Sequence, residues 1–212
     1  MEKVVITIAR QYGSGGKTIG KMLAADLGVK AYDREILRLA SEDSGINEAL
    51  FNQVDEHLKG SSLFRFMKKE YHGELIPPES GDFLSDQNLF NYQAKVIRDL
   101  AEEESCVIIG RCGDYVLKDF PNVVRVFIHA PHDFCHKMTV ERGSRSEKEA
   151  DKYMEDIDKY RGEYYHYYTG QEWFDARNYD LTLNSAVLGF EGCVDAIEDY
   201  IGIRFGNDWK TR

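Results

Sequence analysis

Near its start the chain runs Arg10-Gln11-Tyr12-Gly13-Ser14-Gly15-Gly16-Lys17-Thr18, a stretch that combines glycines, a lysine and a hydroxyl. Glycines let backbone N–H groups converge on one anion, and a helix beginning just behind them presents its positive end to the same point. The phosphate-loop pattern G-x-x-x-x-G-K-[ST] is met at Gly16-Lys17-Thr18, while Gln11 stands at its first position. In that chemistry Gly13, Ser14, Gly15 and Gly16 cradle the phosphates of ATP, Lys17 bridges the transferred groups, and Thr18 ligates Mg²⁺. The competing reading is a tight strand-to-helix turn that holds no ligand.

Phosphoryl transfer also needs cations around the equatorial oxygens of the moving group. Arg111 follows the apolar run Val107-Ile108-Ile109-Gly110, at a strand's carboxyl end, where α/β proteins bind ligands. A surface ion pair is the alternative for it. Asp158 and Arg161, at i and i+3, share one helix face, which also suits a local ion pair. Asp33 ends a short extended piece and can cap the helix that follows. Arg34 beside it is within reach of an acceptor phosphate. Arg142 and Arg145 flank Gly143-Ser144 between two helical stretches. His132 and His136 have the i, i+4 spacing of helix metal ligands, but no glutamate makes an H-E-x-x-H pattern, so a helix surface is the expected role. The aromatic run Tyr160 to Tyr168 suits packing of a helix on a sheet better than base stacking.

These residues need a scaffold, and the hydrophobic pattern supplies one. Lys3 to Arg10, Val29 to Tyr32, Cys106 to Gly110, Val123 to His129 and Tyr179 to Asn184 read as strands, and of these Cys106 to Gly110 and Val123 to His129 are near-continuously apolar, as in a parallel sheet covered on both faces. Helical spacing is expected over Thr18 to Leu27, Glu35 to Ala40, Glu48 to Leu58, Phe64 to Tyr71, Asn88 to Glu104, Asp133 to Arg142, Lys148 to Tyr168 and Gly189 to Ile201. The alternation predicts an α/β doubly wound parallel sheet of about five strands. Residues 1–212 form one domain in this reading, with 41–86 as a helical insertion over one sheet edge and Pro77 to Gly81 as a loop.

Composition narrows the function classes. The chain has 212 residues, 42% hydrophobic and 30% charged, enough for one globular core. Its net charge is −10, from 27 Lys+Arg against 37 Asp+Glu, with no dense basic tract, which argues against nucleic acid. Any anionic ligand must be met by a few local cations. No apolar run reaches the roughly 18 residues of a membrane helix, and no charged-then-apolar leader precedes the first strand, so a cytoplasmic protein is expected. The cysteines Cys106, Cys112, Cys135 and Cys193 are widely spaced and read as reduced, buried thiols.

The opening ITIARQYGSGGKTIGKMLAADLG with AYDREIL, and the later VIIGRCGDYVL, DKYRGEYYHYYTG and NYDLTLNS, together resemble the cytidylate-kinase-like branch of the nucleoside monophosphate kinases. The resemblance runs from the first strand to the last. It implies a P-loop NTPase fold of nucleoside monophosphate kinase type, ATP and Mg²⁺ as cofactors, and a small-molecule acceptor, CMP or dCMP first. It implies that Asp33, Arg111, Asp158 and Arg161 face the acceptor, and that 142–147 form a short lid carrying Arg142 and Arg145 onto the donor phosphates. Aligning Gly13-Ser14-Gly15 with the family's G-S-G puts Gly16 where its lysine stands, so either Lys17 or another cation fills that role. The Asp that follows Arg in the family's G-R-D motif is displaced here to Asp114. A nucleotide-binding regulatory module and a kinase for a non-nucleotide metabolite remain open as alternatives, as do monomer and homodimer.

Overall fold

The computed structural model describes residues 3–57, 71, 73–143 and 145–206. Five strands make one parallel sheet: β1 (Val5–Arg10), β2 (Lys30–Tyr32), β3 (Cys106–Ile109), β4 (Val123–His129) and β5 (Leu181–Asn184), in the order β2-β3-β1-β4-β5. The chain leaves β1 towards one edge and later crosses back over it from β3 to β4. That reversal opens a crevice at the carboxyl ends of β1 and β3, the usual ligand position in such sheets.

Alternation along β1 explains the two layers of helices. Val4, Ile6 and Ile8 point to one face, where α1 (Gly16–Asp26) and α8 (Ser185–Phe205) bring Ile19, Leu23, Val194, Ile197 and Ile201. Val5 and Ala9 point to the other, covered by α2 (Glu35–Ser44), α4 (Asp86–Glu103), the one-turn α5 (Gly113–Val116) and α7 (Glu147–Thr169). The remaining helices are α3 (Glu48–His57) and α6 (His132–Glu141). The tyrosine run of α7 packs as expected in part: Tyr168 stacks on Phe90 of α4, with ring centroids 3.9 Å apart. All four cysteines are buried and form no disulfide, and burial pushes the thiols of Cys106 and Cys135 up to about 12 and about 11.

Several expectations shift. Asp33 does not cap α2: Arg34 occupies the cap position without a side-chain hydrogen bond, because the Asp33 carboxylate is drawn to Lys17 instead. Helix α4 begins two residues earlier than the pattern suggests, with the Ser85 hydroxyl accepting from the Asn88 N–H. It is also not a one-sided amphipathic helix, since every residue from Asn88 to Ala94 is buried. The stretch 73–85 covers its second face, tied down by Asn88 to the carbonyls of Ile76 and Phe83 and by Asn91 to that of Glu74. The last helix is interrupted at Gly189, whose φ is 73°, which is where the sequence places its start. The helix expected over Phe64 to Tyr71 falls outside the described residues, apart from Tyr71. Among the described residues, no helix is long and apolar enough to cross a membrane.

Candidate functional site

The loop after β1 is fixed by hydrogen bonds that leave its outer surface free for a ligand. Gln11, at the pattern's first glycine position, donates its N–H to the Ile128 carbonyl and accepts from the Ala130 N–H, so its side chain stitches the loop to β4. Ser14 is fully buried, and its hydroxyl lies 2.8 Å and 3.1 Å from the carbonyls of Gln11 and Ile128. Ser14 therefore faces the sheet, and its carbonyl accepts from the Ser185 hydroxyl at 2.6 Å, which ties the loop to the start of α8. Gly13 adopts φ 78°, and a Cβ there would lie 2.6 Å from the Cys135 carbonyl oxygen. Helix α1 then starts at Gly16 with no side-chain cap, so its first N–H groups lack partners within the helix. This is a cradle shaped for an oxyanion.

Two cavities meet beside it. The loop cavity, about 200 Å³, is lined by Tyr12, Gly13, Gly15, Gly16, Lys17 and Arg142, among others. The second, about 140 Å³, lies over the ends of β1 and β3, with Asp33, Arg111, Asp114, Tyr160, Tyr165 and Trp173 in its wall. Arg10 and Arg161 line both. Lys17 bridges the cavities as well, its Nζ 2.6 Å from Asp33 Oδ2. Burial works against the charge of Asp33, yet Lys17, Arg10 and Arg111 outweigh it and hold the carboxyl below its ordinary value.

The arginine-rich cavity rests on strained backbone. Gly110 has φ 79°, and the next two residues, Arg111 and Cys112, also adopt left-handed angles of 59° and 53°. Each non-glycine residue in that region costs about 1–3 kcal/mol, strain that clusters at binding sites. The turn of α5 that follows brings Asp114 back into the cavity wall, where its carboxylate accepts from the Tyr165 hydroxyl at 2.6 Å. Burial pushes the Asp114 carboxyl up to about 6, and burial beside that carboxyl drives the Tyr165 phenol well above its usual value. Two of the cations are also perturbed: burial, with Arg161 beside it, lowers Arg10 to about 9, and burial lowers Arg161 despite Asp158.

The residues singled out in the sequence distribute as follows. Lys17, Asp33, Arg111 and Arg161 come together at the junction. Arg142 reaches the loop and donates to Thr18 Oγ1 at 3.2 Å, while Arg145 lies over the Tyr153 ring, which meets Tyr12 edge-on. Asp158 is spent on the scaffold: its Oδ1 accepts from the Tyr12 N–H at 2.8 Å and from Arg161 at 3.2 Å, and burial raises its carboxyl. Arg34 is exposed at the start of α2 and lines neither cavity. His132 and His136 both turn to Asp151, and among the described residues no group of three or more His, Cys, Asp or Glu side chains could hold a metal ion. Sequence reasoning missed Arg10, Asp114, Tyr165 and Trp173 as cavity residues. Arg10 carried a usable signal, since a charge at the carboxyl end of a buried strand is the argument that singled out Arg111.

A family model described as "Cytidylate kinase-like family" matches residues 5–187, which contain both cavities. The chain belongs to the cytidylate kinase-like family. Among solved structures, an uncharacterized protein from Eubacterium ventriosum ATCC 27560 is 28% identical, with a TM-score of 0.68 over 94% of this chain and 98% of that one. A shikimate kinase from Bacteroides thetaiotaomicron superposes with a TM-score of 0.53 at 15% identity, over 93% of this chain and 98% of its own, and shares the P-loop kinase fold. No curated protein sequence matches the chain. Family and fold together are those of kinase-type phosphotransferases.

Proposed function

We propose that the chain transfers the γ-phosphoryl group of ATP to a small phosphate-bearing acceptor, with the nucleoside monophosphates CMP and dCMP as first candidates. The carrying observation is the pair of adjoining cavities that share Arg10 and Arg161, one walled by the loop cradle and the other by arginines and aromatic rings. Such a junction suits in-line transfer, where donor and acceptor approach one phosphorus from opposite sides.

The cradle of Gly13 to Thr18 binds the donor's phosphates, and Lys17 lies at the point of transfer. Arg111 and Arg161 hold the acceptor's phosphate, and Tyr160 and Trp173 flank the rest of it. An oxygen of that phosphate forms the new bond to the γ-phosphorus. The bond from the γ-phosphorus to the β–γ bridging oxygen breaks, and its electron pair leaves with ADP. An acceptor that is already an anion needs no strong base. Thr18, an oxygen donor at the start of α1, fits a magnesium ion carried in with the nucleotide. Bound there, the ion would neutralise phosphate charge. Arg142, already against Thr18, and Arg145 close over the donor and exclude water.

The test is transfer from Mg²⁺-ATP to a pool of nucleoside monophosphates, deoxynucleotides and small anionic metabolites, with products read by mass spectrometry. A diphosphate from CMP or dCMP is expected. Product from a different anion would keep the transfer and replace the acceptor. ATP binding with no product from any acceptor would favour a regulatory nucleotide-binding module.

A further inference from the structure

Arg10 has no counterpart in the phosphate-loop pattern, yet it occupies the junction of the site. It is the last residue of β1, its backbone carbonyl accepts from Arg161 at 2.9 Å, and its side chain lines both cavities. Arg161, Arg111, Asp33 and Asp158 all stand close enough to act on its charge. Among the described residues, the Arg10 guanidinium makes no side-chain hydrogen bond, although it has five N–H donors in a planar fork. The surrounding backbone makes room for it: a Cβ on Gly110 would overlap the Arg10 guanidinium, and one on Gly16 would overlap its stem. Lys17, by contrast, is held on Asp33.

We propose that Arg10 is a catalytic residue, the cation that grips the phosphoryl group in transit at the junction of the two cavities and shares the loop lysine's role with Lys17. The proposal rests on the ATP-dependent transfer argued above. Three arginines gathered over buried backbone repel one another, Asp33 and Asp158 offset only part of that repulsion, and among the described residues no group hydrogen-bonds the Arg10 fork. An arriving phosphoryl group supplies the missing negative charge and accepts the N–H donors. Planar oxygens spread around a phosphorus suit a guanidinium better than an ammonium. Arg10 keeps its proton throughout and makes or breaks no covalent bond. Its contribution grows with the charge on the equatorial oxygens.

The experiment compares wild type, Arg10→Met and Arg10→Lys by calorimetric titration with Mg²⁺-ATP and with Mg²⁺-ADP, together with thermal melting of the free protein. ADP lacks the group that Arg10 is assigned to hold. For Arg10→Met the ratio of ATP to ADP affinity should fall about tenfold or more, while ADP affinity changes less than about threefold. Its melting temperature should hold or rise, because repulsion among the arginines is relieved. Arg10→Lys should restore part of the ratio, which shows the loss in Arg10→Met to be one of charge and not of fold. An unchanged ratio would overturn the assignment. So would equal losses for both nucleotides with a lower melting temperature, the mark of a purely structural residue. A wild-type protein that binds neither nucleotide would overturn the proposed function itself.

Discussion

The loop cavity is walled largely by one continuous segment and the arginine cavity by side chains drawn from several elements. Every group that shapes the first, apart from Arg142, Arg161 and the α6 wall, comes from residues 10–17, held by Gln11, Ser14 and a helix start without a side-chain cap. The second draws Arg10 from β1, Asp33 from the end of β2, Arg111 and Asp114 from the turn after β3, and Tyr160, Tyr164 and Tyr165 from α7. A backbone cradle presents the same N–H groups whatever the neighbouring side chains are. A side-chain cavity exists only once the sheet has assembled, and it carries the costs of buried charge and left-handed backbone. Truncating an exposed loop side chain such as Lys17 should therefore act on chemistry alone, while substitutions on the arginine side should act on chemistry and stability together.

The largest effect should come from Lys17, which lines the loop cavity and reaches across to Asp33 in the wall of the other. Its side chain is half exposed, so little packing depends on it. Lys17→Ala is expected to lower transfer about 10³-fold or more with unchanged circular dichroism and melting. Retention of full turnover would remove Lys17 from the chemistry and leave Arg10 as the principal cation.

Gly110 tests the other side. Alanine there must accept a left-handed backbone and push aside the Arg10 guanidinium. Gly110→Ala should destabilise by about 1–3 kcal/mol and lower transfer about 10²-fold. In an Arg10→Ala background the steric part disappears, so the double variant should be more stable than the sum of the two single changes predicts in a double-mutant cycle. Strict additivity would mean that the two residues do not touch in solution.

The same contrast explains what could be read from the sequence. The strand, loop and α1 follow one another without a break, so local pattern was enough to find the cradle. The parallel sheet was legible from its inner strands, since the apolar runs of β1, β3 and β4, buried on both faces, leave no polar alternation. The arginine cavity was legible only where a single residue carried a positional cue, as Arg111 did. Asp114 looked displaced when counted along the chain. Two left-handed residues and one turn of helix return it to the cavity, a path that no residue count anticipates. Asp158 shows the opposite case. Its spacing from Arg161 was read correctly as a shared face, but its other partner, the Tyr12 N–H, is distant in sequence. The tyrosines of α7 divide between roles by helix face: Tyr168 stacks on Phe90, while Tyr160, Tyr164 and Tyr165 turn to the cavity.

Asp114 also gives the arginine cavity a pH signature in the acidic range. Burial raises its carboxyl from 3.8 to about 6, so between those values the native chain holds more protons than the unfolded one. Stability then falls as pH rises through this window, and the penalty is fully present above it. Asp114→Asn keeps an oxygen for the Tyr165 hydroxyl and removes the buried charge. It should stabilise by about 1–3 kcal/mol at pH 8, with the gain vanishing near pH 4. Chemical denaturation at a series of pH values measures this directly, and a gain that does not depend on pH would place the Asp114 charge elsewhere than in a buried wall.

The smallest effect sharpens the comparison by leaving both cavities untouched. Ser85 caps α4 through the Asn88 N–H, and α4 supports the sheet face beneath the arginine cavity without lining it. Ser85→Ala should cost about 1 kcal/mol, a loss of about 2–4 °C in melting temperature, through an unmet N–H in the first helical turn. Transfer measured well below the melting range should stay at the wild-type value. If it fell in step with stability, the arginine cavity would depend on the sheet face as a whole and not on the few side chains in its wall. The side-chain cavity and its supporting layer would then be one cooperative unit.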